Sequence, residues 1–238
     1  MGSSLASQGA APVFLEIPNG TNVIMAQGVR SPQATYEAFS PSTFYRLAEI
    51  TLAAPTSATY YLAVFDAARG GDFSIAVGNR ETFILMEWVM IPFKLVGIYQ
   101  WEWQSQLFLF APMVTLVAIG LILIWKMSNG ITLFGLVGSV AGFMFLGTAL
   151  TTLAQTFFVL SYTQFVPEAA ITLVFIMILA LLGWATLRQT LRRKKAVDRR
   201  ARIYVAVFGA LAIFAWAGLL VRPAMAILAS VLPSGRRS

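Results

Sequence analysis

Four stretches of this chain, Leu107 to Trp125, Ile131 to Leu153, Ala169 to Leu187 and Ile203 to Val221, contain no Asp, Glu, Lys or Arg. Each is near the ~20 residues an α-helix needs to cross the hydrocarbon of a bilayer. Backbone N–H and C=O groups in hydrocarbon must pair within their own segment, so the four stretches are expected to be helices. With 58% apolar and 11% charged residues and a mean hydropathy of +0.74, the chain as a whole is expected to be embedded in a membrane.

Charge then orients the spans. Residues 106–238 carry twelve Lys and Arg against two acids, Glu168 and Asp198, whereas residues 1–105 carry five cations against eight acids. Arg188, Arg192, Arg193, Lys194, Lys195, Arg199, Arg200 and Arg202 crowd the loop 188–202 between the third and fourth stretches. A short loop so rich in cations is retained in the cytoplasm. It has no interleaved aromatic residues, so it reads as a topology determinant attracted to anionic lipid and not as a nucleic-acid site. Counting spans from that loop puts the N-terminal region outside the cytoplasm. The same count puts the C-terminus outside, with Pro223 kinking an extension or interfacial tail; a re-entrant fourth segment would instead return it inside.

Residues 1–11 are expected to lack order, and residues 12–83 alternate in the manner of β structure. Strands are expected at Val13 to Ile17, Asn22 to Ala26, Phe44 to Leu52, Thr59 to Asp66 and Asp72 to Gly78. The last two flank "DAARGGD", whose Gly70 and Gly71 suit a hairpin turn. Together "TYYLAVFDAARGGDFSIAVG" resembles the terminal strand pair of pre-peptidase C-terminal-type domains, which implies a small antiparallel β-sandwich outside the membrane. The expected fold class is therefore a β-sandwich followed by a four-helix transmembrane bundle in residues 107–238. Asn19-Gly20-Thr21 fits a glycosylation sequon and fits an Asn-Gly turn equally well. The N-terminal "MGSSLASQGAAPVF" has neither the basic segment nor the apolar run of a leader, so either the natural start lies upstream or a leader has been replaced.

Between the two parts, residues 84–106 are apolar but interrupted by Glu87, Pro92 and Lys94. Trp88, Tyr99, Trp101 and Trp103 are expected to anchor this segment at the headgroup level as an interfacial amphipathic stretch, the alternative being a fifth span.

Two patterns mark the second apolar stretch. Gly135, Gly138, Ser139 and Gly142 share one side of a helix, where small residues permit close packing on a neighbouring span or in a homodimer. Thr148, Thr151, Thr152, Gln155 and Thr156 recur at helical spacing and form a polar stripe, which in lipid must face protein or water. With Glu168 at the start of the next stretch and Arg222 at the end of the last, the stripe defines a candidate outer polar pocket, roofed by Trp101 and Trp103.

The chain has no His and no Cys, which removes imidazole bases, thiolate nucleophiles, disulfides and His/Cys metal sites. An outer β domain ahead of several helices is similar in architecture to a DOMON-type domain fused to a cytochrome b561-type bundle, but that bundle requires axial His. Asp66 and Asp72 fall short of the six to eight oxygens that calcium takes. No enzymatic activity, metal or cofactor is expected. The expected partners are the lipid bilayer and other membrane subunits or a second copy, with no nucleic acid. The expected role is a binding, structural or accessory subunit of a membrane assembly, and the alternative is a transport component using the outer pocket.

Overall fold

The computed structural model describes residues 6–8, 12–66, 71–78, 82, 84–127, 131–191, 198–214 and 220–233. These divide into two compact units, one built from residues 1–34 and 45–83 and the other from residues 35–44 and 84–238.

The first unit holds a single short ladder among its described residues. Strand β1 (Ala6–Gln8) pairs antiparallel with β2 (Ile24–Ala26), with Ser7 opposite Met25. β1 falls in the segment 1–11 that was expected to lack order, because β2 offers it a backbone partner. β2 lies within the expected strand Asn22 to Ala26. The expected strands Val13 to Ile17, Thr59 to Asp66 and Asp72 to Gly78 carry no strand, and the described residues do not assemble into a sandwich. Part of the expected turn, Gly70 with it, lies outside the described residues. Thr59 to Asp66 is apolar on both alternating faces, so a strand there needs cover on both sides as well as a ladder partner, and a lone hairpin supplies only the partner.

The second unit is helical and includes a second ladder. Strands β3 (Thr35–Glu37) and β4 (Ser42–Phe44) form an antiparallel hairpin across Ser40 and Pro41, with Tyr36 opposite Thr43. The boundary expected at residue 83 is thus crossed by residues 35–44, which belong with the helices. Helix α1 (Leu85–Trp101) begins where the Glu87 carboxylate accepts the Ile84 backbone N–H at 3.0 Å, so Glu87 caps the helix.

Helices α2 (Gln106–Met127), α3 (Leu133–Leu160) and α4 (Ala169–Thr190) coincide with the first three apolar stretches, and all three are long and apolar enough to cross a membrane. Their starts follow from side chains that satisfy free N–H groups. Ser105 Oγ accepts from Phe108 N at 3.2 Å before α2, and Thr132 Oγ1 accepts from Gly135 N at 3.0 Å before α3. α3 is the central element. α2 runs antiparallel along it, Met113 abutting Gly147 and Leu109 lying beside Thr151. α4 runs antiparallel along another side, where Gly142 and Gly183 let the two backbones approach so closely that a Cβ on Gly183 would stand 2.9 Å from the Gly142 carbonyl oxygen. The core holds Phe134, Ala141, Phe145, Leu179 and Val205.

The fourth apolar stretch is not one helix. Asp198, whose carboxylate accepts from Arg200 N at 3.2 Å, opens α5 (Arg199–Phe214), and α6 (Val221–Val231) follows. The two pack antiparallel: Arg202 Nη1 donates to the Ser230 carbonyl at 3.1 Å, and Gly209 lies against Pro223, Ala226 and Ile227. Sixteen and eleven residues reach only about 24 Å and about 16 Å, short of a ~30 Å hydrocarbon core. The expected span Ile203 to Val221 is therefore replaced by a half-length helical hairpin. Its small residues explain the packing, since Gly209 of α5 meets Pro223 and Ala226 of α6, and Ala212, Pro223, Ala226 and Ala229 have almost no exposure. Pro223 sits in the first turn of α6, where its missing N–H leaves no intrahelical bond unmade. α6 carries the chain back toward the start of α3, Ala229 abutting Gly138.

Candidate functional site

The largest concentration of buried polar groups lies where α3 ends, α4 begins and the β3–β4 hairpin covers both. Tyr36 and Ala38 are buried against Val159 and Ala169. Thr172 Oγ1 donates to the Ala38 carbonyl at 2.6 Å and lies 3.0 Å from the Tyr36 hydroxyl. Thr172 has a single proton and gives it to Ala38, so Tyr36 is the donor of the pair. The Phe39 and Phe175 rings meet edge to face at 5.6 Å beside them.

The other edge of the hairpin meets the corner between α1 and α2. That corner is a Schellman turn: Trp103 N donates to the Gln100 carbonyl and Gln104 N to that of Tyr99. The position usually given to glycine holds Trp103 at φ 65°. A tryptophan in this left-handed region costs about 1–2 kcal/mol. The strained geometry alternates the corner, turning Gln104 inward to near-complete burial and leaving Trp103 85% exposed. Gln155 Nε2 donates to Gln104 Oε1 at 2.9 Å, and the Gln155 side chain also bonds Tyr99. Glu102 is half-buried and hydrogen-bonded by Ser42 of the hairpin, with Gln104 Nε2 at 3.5 Å. Burial raises the Glu102 carboxyl to about 7, opposed by the Ser42 bond. Ser42, Glu102, Gln104, Gln155 and Tyr99 thus form one polar chain linking the hairpin, the α1–α2 corner and α3.

The stripe expected on α3 is distributed rather than gathered. Thr148, Thr151 and Thr156 donate to the carbonyls of Met144, Gly147 and Thr152, one turn back in their own helix, which uses most of their hydrogen-bonding capacity. Thr152 supplies one of those carbonyls. Thr151 also reaches the Leu109 carbonyl of α2 at 3.3 Å, and Gln155 alone enters the polar chain. Glu168 is exposed in the turn before α4 and makes no capping bond there.

Arg222 lies elsewhere. It is 6% exposed in the first turn of α6, its Nη2 3.4 Å from Met113 Sδ, at the level of Gly147. Glu168 adjoins Ala169, which packs on Val159. Twelve residues of α3 separate the two levels, about 18 Å along its axis. Glu168 and Arg222 therefore do not line one pocket.

Gly135, Gly138, Ser139 and Gly142 face into the second unit. Gly135 and Gly138 meet Thr190, Ser139 Oγ lies 3.0 Å from Thr190 Oγ1, and Gly142 meets Leu187 and Gly183. The stripe packs α3 against α4 and α6 within one chain. Trp101 is exposed at the end of α1; Trp88 lies in α1 with its side chain outside the described residues. Arg199 and Arg200 are exposed in the first turn of α5, while Arg192, Arg193, Lys194 and Lys195 lie outside the described residues. Asp66 and Asp72 are both exposed.

Composition did not point to Tyr36, Ser42, Gln104 or Thr172. Tyr36 and Ser42 lie in "TYEAFSPSTF", two short runs of strand-forming residues about a Ser-Pro turn, and no motif marks Gln104 or Thr172. Comparison with protein-family models, curated proteins and solved structures gives no match. The site is therefore argued from its geometry.

Proposed function

We propose that the chain is a multi-pass membrane protein acting as a binding or accessory subunit of a membrane assembly, with its N-terminal region outside the cytoplasm. The observation that carries this reading is the β3–β4 hairpin. A segment continuous on both flanks with the N-terminal region is fastened by buried hydroxyls to α3, α4 and the α1–α2 corner. A partner that pulls on the N-terminal region therefore pulls on the helices.

Charge supports the orientation. Lys126, Arg188, Arg199, Arg200 and Arg202 lie at the end of the helices where α3 begins, and Arg192 to Lys195 belong to the loop between α4 and α5. The α5–α6 hairpin turns the chain back to that end, where Ala229 of α6 abuts Gly138. Among the described residues, all cations of residues 106–238 except Arg222 share one end of the helices, and Glu102 and Glu168 share the other. This distribution favours a cytoplasmic C-terminus over the outer one that an even count of spans requires.

The chain has no native Cys, so topology is testable by single introduced thiols. A membrane-impermeant reagent applied to intact cells should label Ser74→Cys and leave Ala196→Cys unlabelled; labelling of the second alone inverts the scheme. The subunit role is tested by the mass of the full chain extracted in mild detergent, which should exceed that of the protomer by a stoichiometric membrane partner.

Arg222 favours a second reading. An ionisable side chain buried halfway along the helices, at the tip of a half-length hairpin, is the placement found where solutes or protons cross. Under that reading Arg222→Met abolishes a solute flux measured in proteoliposomes, and a bare protomer without flux sinks both readings.

A further inference from the structure

Among the described helices, α1 is the one that no other helix runs alongside. At about 100° per residue its side chains divide into two arcs. Val89, Pro92, Leu95, Val96 and Tyr99 are partly covered and share one arc, and Met86, Glu87, Met90, Phe93, Lys94 and Gly97 are exposed and share the other. On the open side Met86, Met90, Phe93 and Gly97 recur at intervals of four, three and four residues, the spacing of a seam between two packed helices. Met86, Met90 and Phe93 are between 42% and 67% exposed, and a Cβ on Gly97 would meet nothing within 4 Å. The seam is open from end to end.

Charge narrows what fits it. α1 has two charged residues, and both lie beside the seam on one flank, Glu87 directly after Met86 and Lys94 directly after Phe93. The Ile84 N–H engages only Oε2 of Glu87, and a carboxylate has a second oxygen to offer. Such a flank is complementary to its own reverse. In an antiparallel pair of identical helices each flank faces itself, and the register that stacks Met86 on Gly97 and Met90 on Phe93 also brings Glu87 of each copy beside Lys94 of the other. A parallel pair would turn the charged flank toward Val89 and Val96, where neither charge finds an opposite. A lipid surface would cover Met86 and Phe93 but has no use for unlike charges seven residues apart.

We propose that the open side of α1 is the contact surface for a second copy of this chain, the two helices packing antiparallel about a two-fold axis. The inference deepens the subunit reading and rests on it, because it names one partner in the assembly.

Membrane geometry constrains the pair further. Two copies inserted with the same orientation are related by a two-fold axis along the bilayer normal. Helices that run antiparallel about that axis must lie in the membrane plane. α1 is about 25 Å long, short of a ~30 Å hydrocarbon core, and suits a place at the interface. The apolar side chains supply most of the affinity, because an exposed ion pair contributes little by itself. Glu87 and Lys94 instead choose the direction and register of the partner.

The test uses the full chain in cell membranes, with two differently tagged copies co-expressed, one carrying Met86→Cys and the other Gly97→Cys. Oxidation should cross-link one tag to the other, with little product between copies of the same tag. Same-tag products without the mixed one mean a parallel pair and overturn the proposal. It is overturned equally by a chain that yields no cross-link, whether it extracts with a stoichiometric partner of another sequence, which then covers α1, or alone with Met86→Cys open to a lipid-soluble reagent, which gives that side to the bilayer. Should a Cys variant misfold, the charges provide a second measurement, by energy transfer between fluorescently tagged copies diluted in liposomes. Lys94→Glu sets like charges together twice in each pair and should weaken association about tenfold. Mixing Lys94→Glu copies with Glu87→Lys copies makes every flank meet its opposite again, and association should return. No loss with Lys94→Glu, or no recovery on mixing, also overturns the pairing. A partner of another sequence leaves the subunit reading standing, and labelling at Ser74→Cys and Ala196→Cys reads topology independently, so failure of the pairing is distinguishable from failure of the reading beneath it.

Discussion

Two runs of similar apolar content meet different fates in this molecule. Tyr60, Tyr61, Leu62, Val64 and Phe65 remain between 42% and 70% exposed, whereas Ala141 and Phe145 are exposed by 0%. The difference lies in what each backbone requires. A helix closes its hydrogen bonds within itself and then needs only a neighbour for its side chains. An extended run needs a ladder partner for its backbone and cover for its faces at once. Apolar sequence is thus enough to make α3, and it is only half of what a strand at Thr59 to Asp66 requires.

The contrast yields predictions that differ in size and sign. Phe145→Ala empties a fully enclosed site in α3 and should cost about 3 kcal/mol or more in unfolding of the second unit, measured by reversible denaturation in mixed micelles. Gly183→Val places branched carbon against the Gly142 carbonyl and should cost about 2 kcal/mol in the same assay, with α3 and α4 forced apart. Trp103→Gly should stabilise by about 1 kcal/mol, because glycine adopts φ 65° without strain; a loss instead would mean that the exposed indole carries packing of its own. Val64→Ala should change stability by less than about 0.5 kcal/mol. A large loss there would erase the distinction between the two runs.

What was legible in the sequence divides along the same line. α2, α3 and α4 could be read within a few residues because an uninterrupted apolar run and a capping hydroxyl at Ser105 or Thr132 are local facts. The small-residue side of α3 was legible too, and its partners proved to be Thr190, Leu187, Gly183 and Ala229 of the same chain. The break between α5 and α6 was not. Nothing charged interrupts Ile203 to Val221, and the hairpin is marked by packing of Gly209 on Pro223, Ala226 and Ile227, which a count of apolar residues does not register. β3 and β4 were missed because three-residue strands have no period to detect; they are held by Thr172, far away in sequence. The candidate pocket was misassembled for a related reason. The spacing placed five polar residues on one side of α3 correctly, but Thr148, Thr151 and Thr156 spend their protons on their own helix, leaving Gln155 to reach a partner named by no motif.

The half-length hairpin of α5 and α6 also bears on how such a chain enters a bilayer. A final helix that crossed completely would need about 20 residues to span the hydrocarbon, and α5 and α6 have sixteen and eleven. The hairpin instead lays α5 against α4 and α6 against α3. Elements so short need no match to a bilayer's thickness, only a surface of α3 and α4 on which to dock.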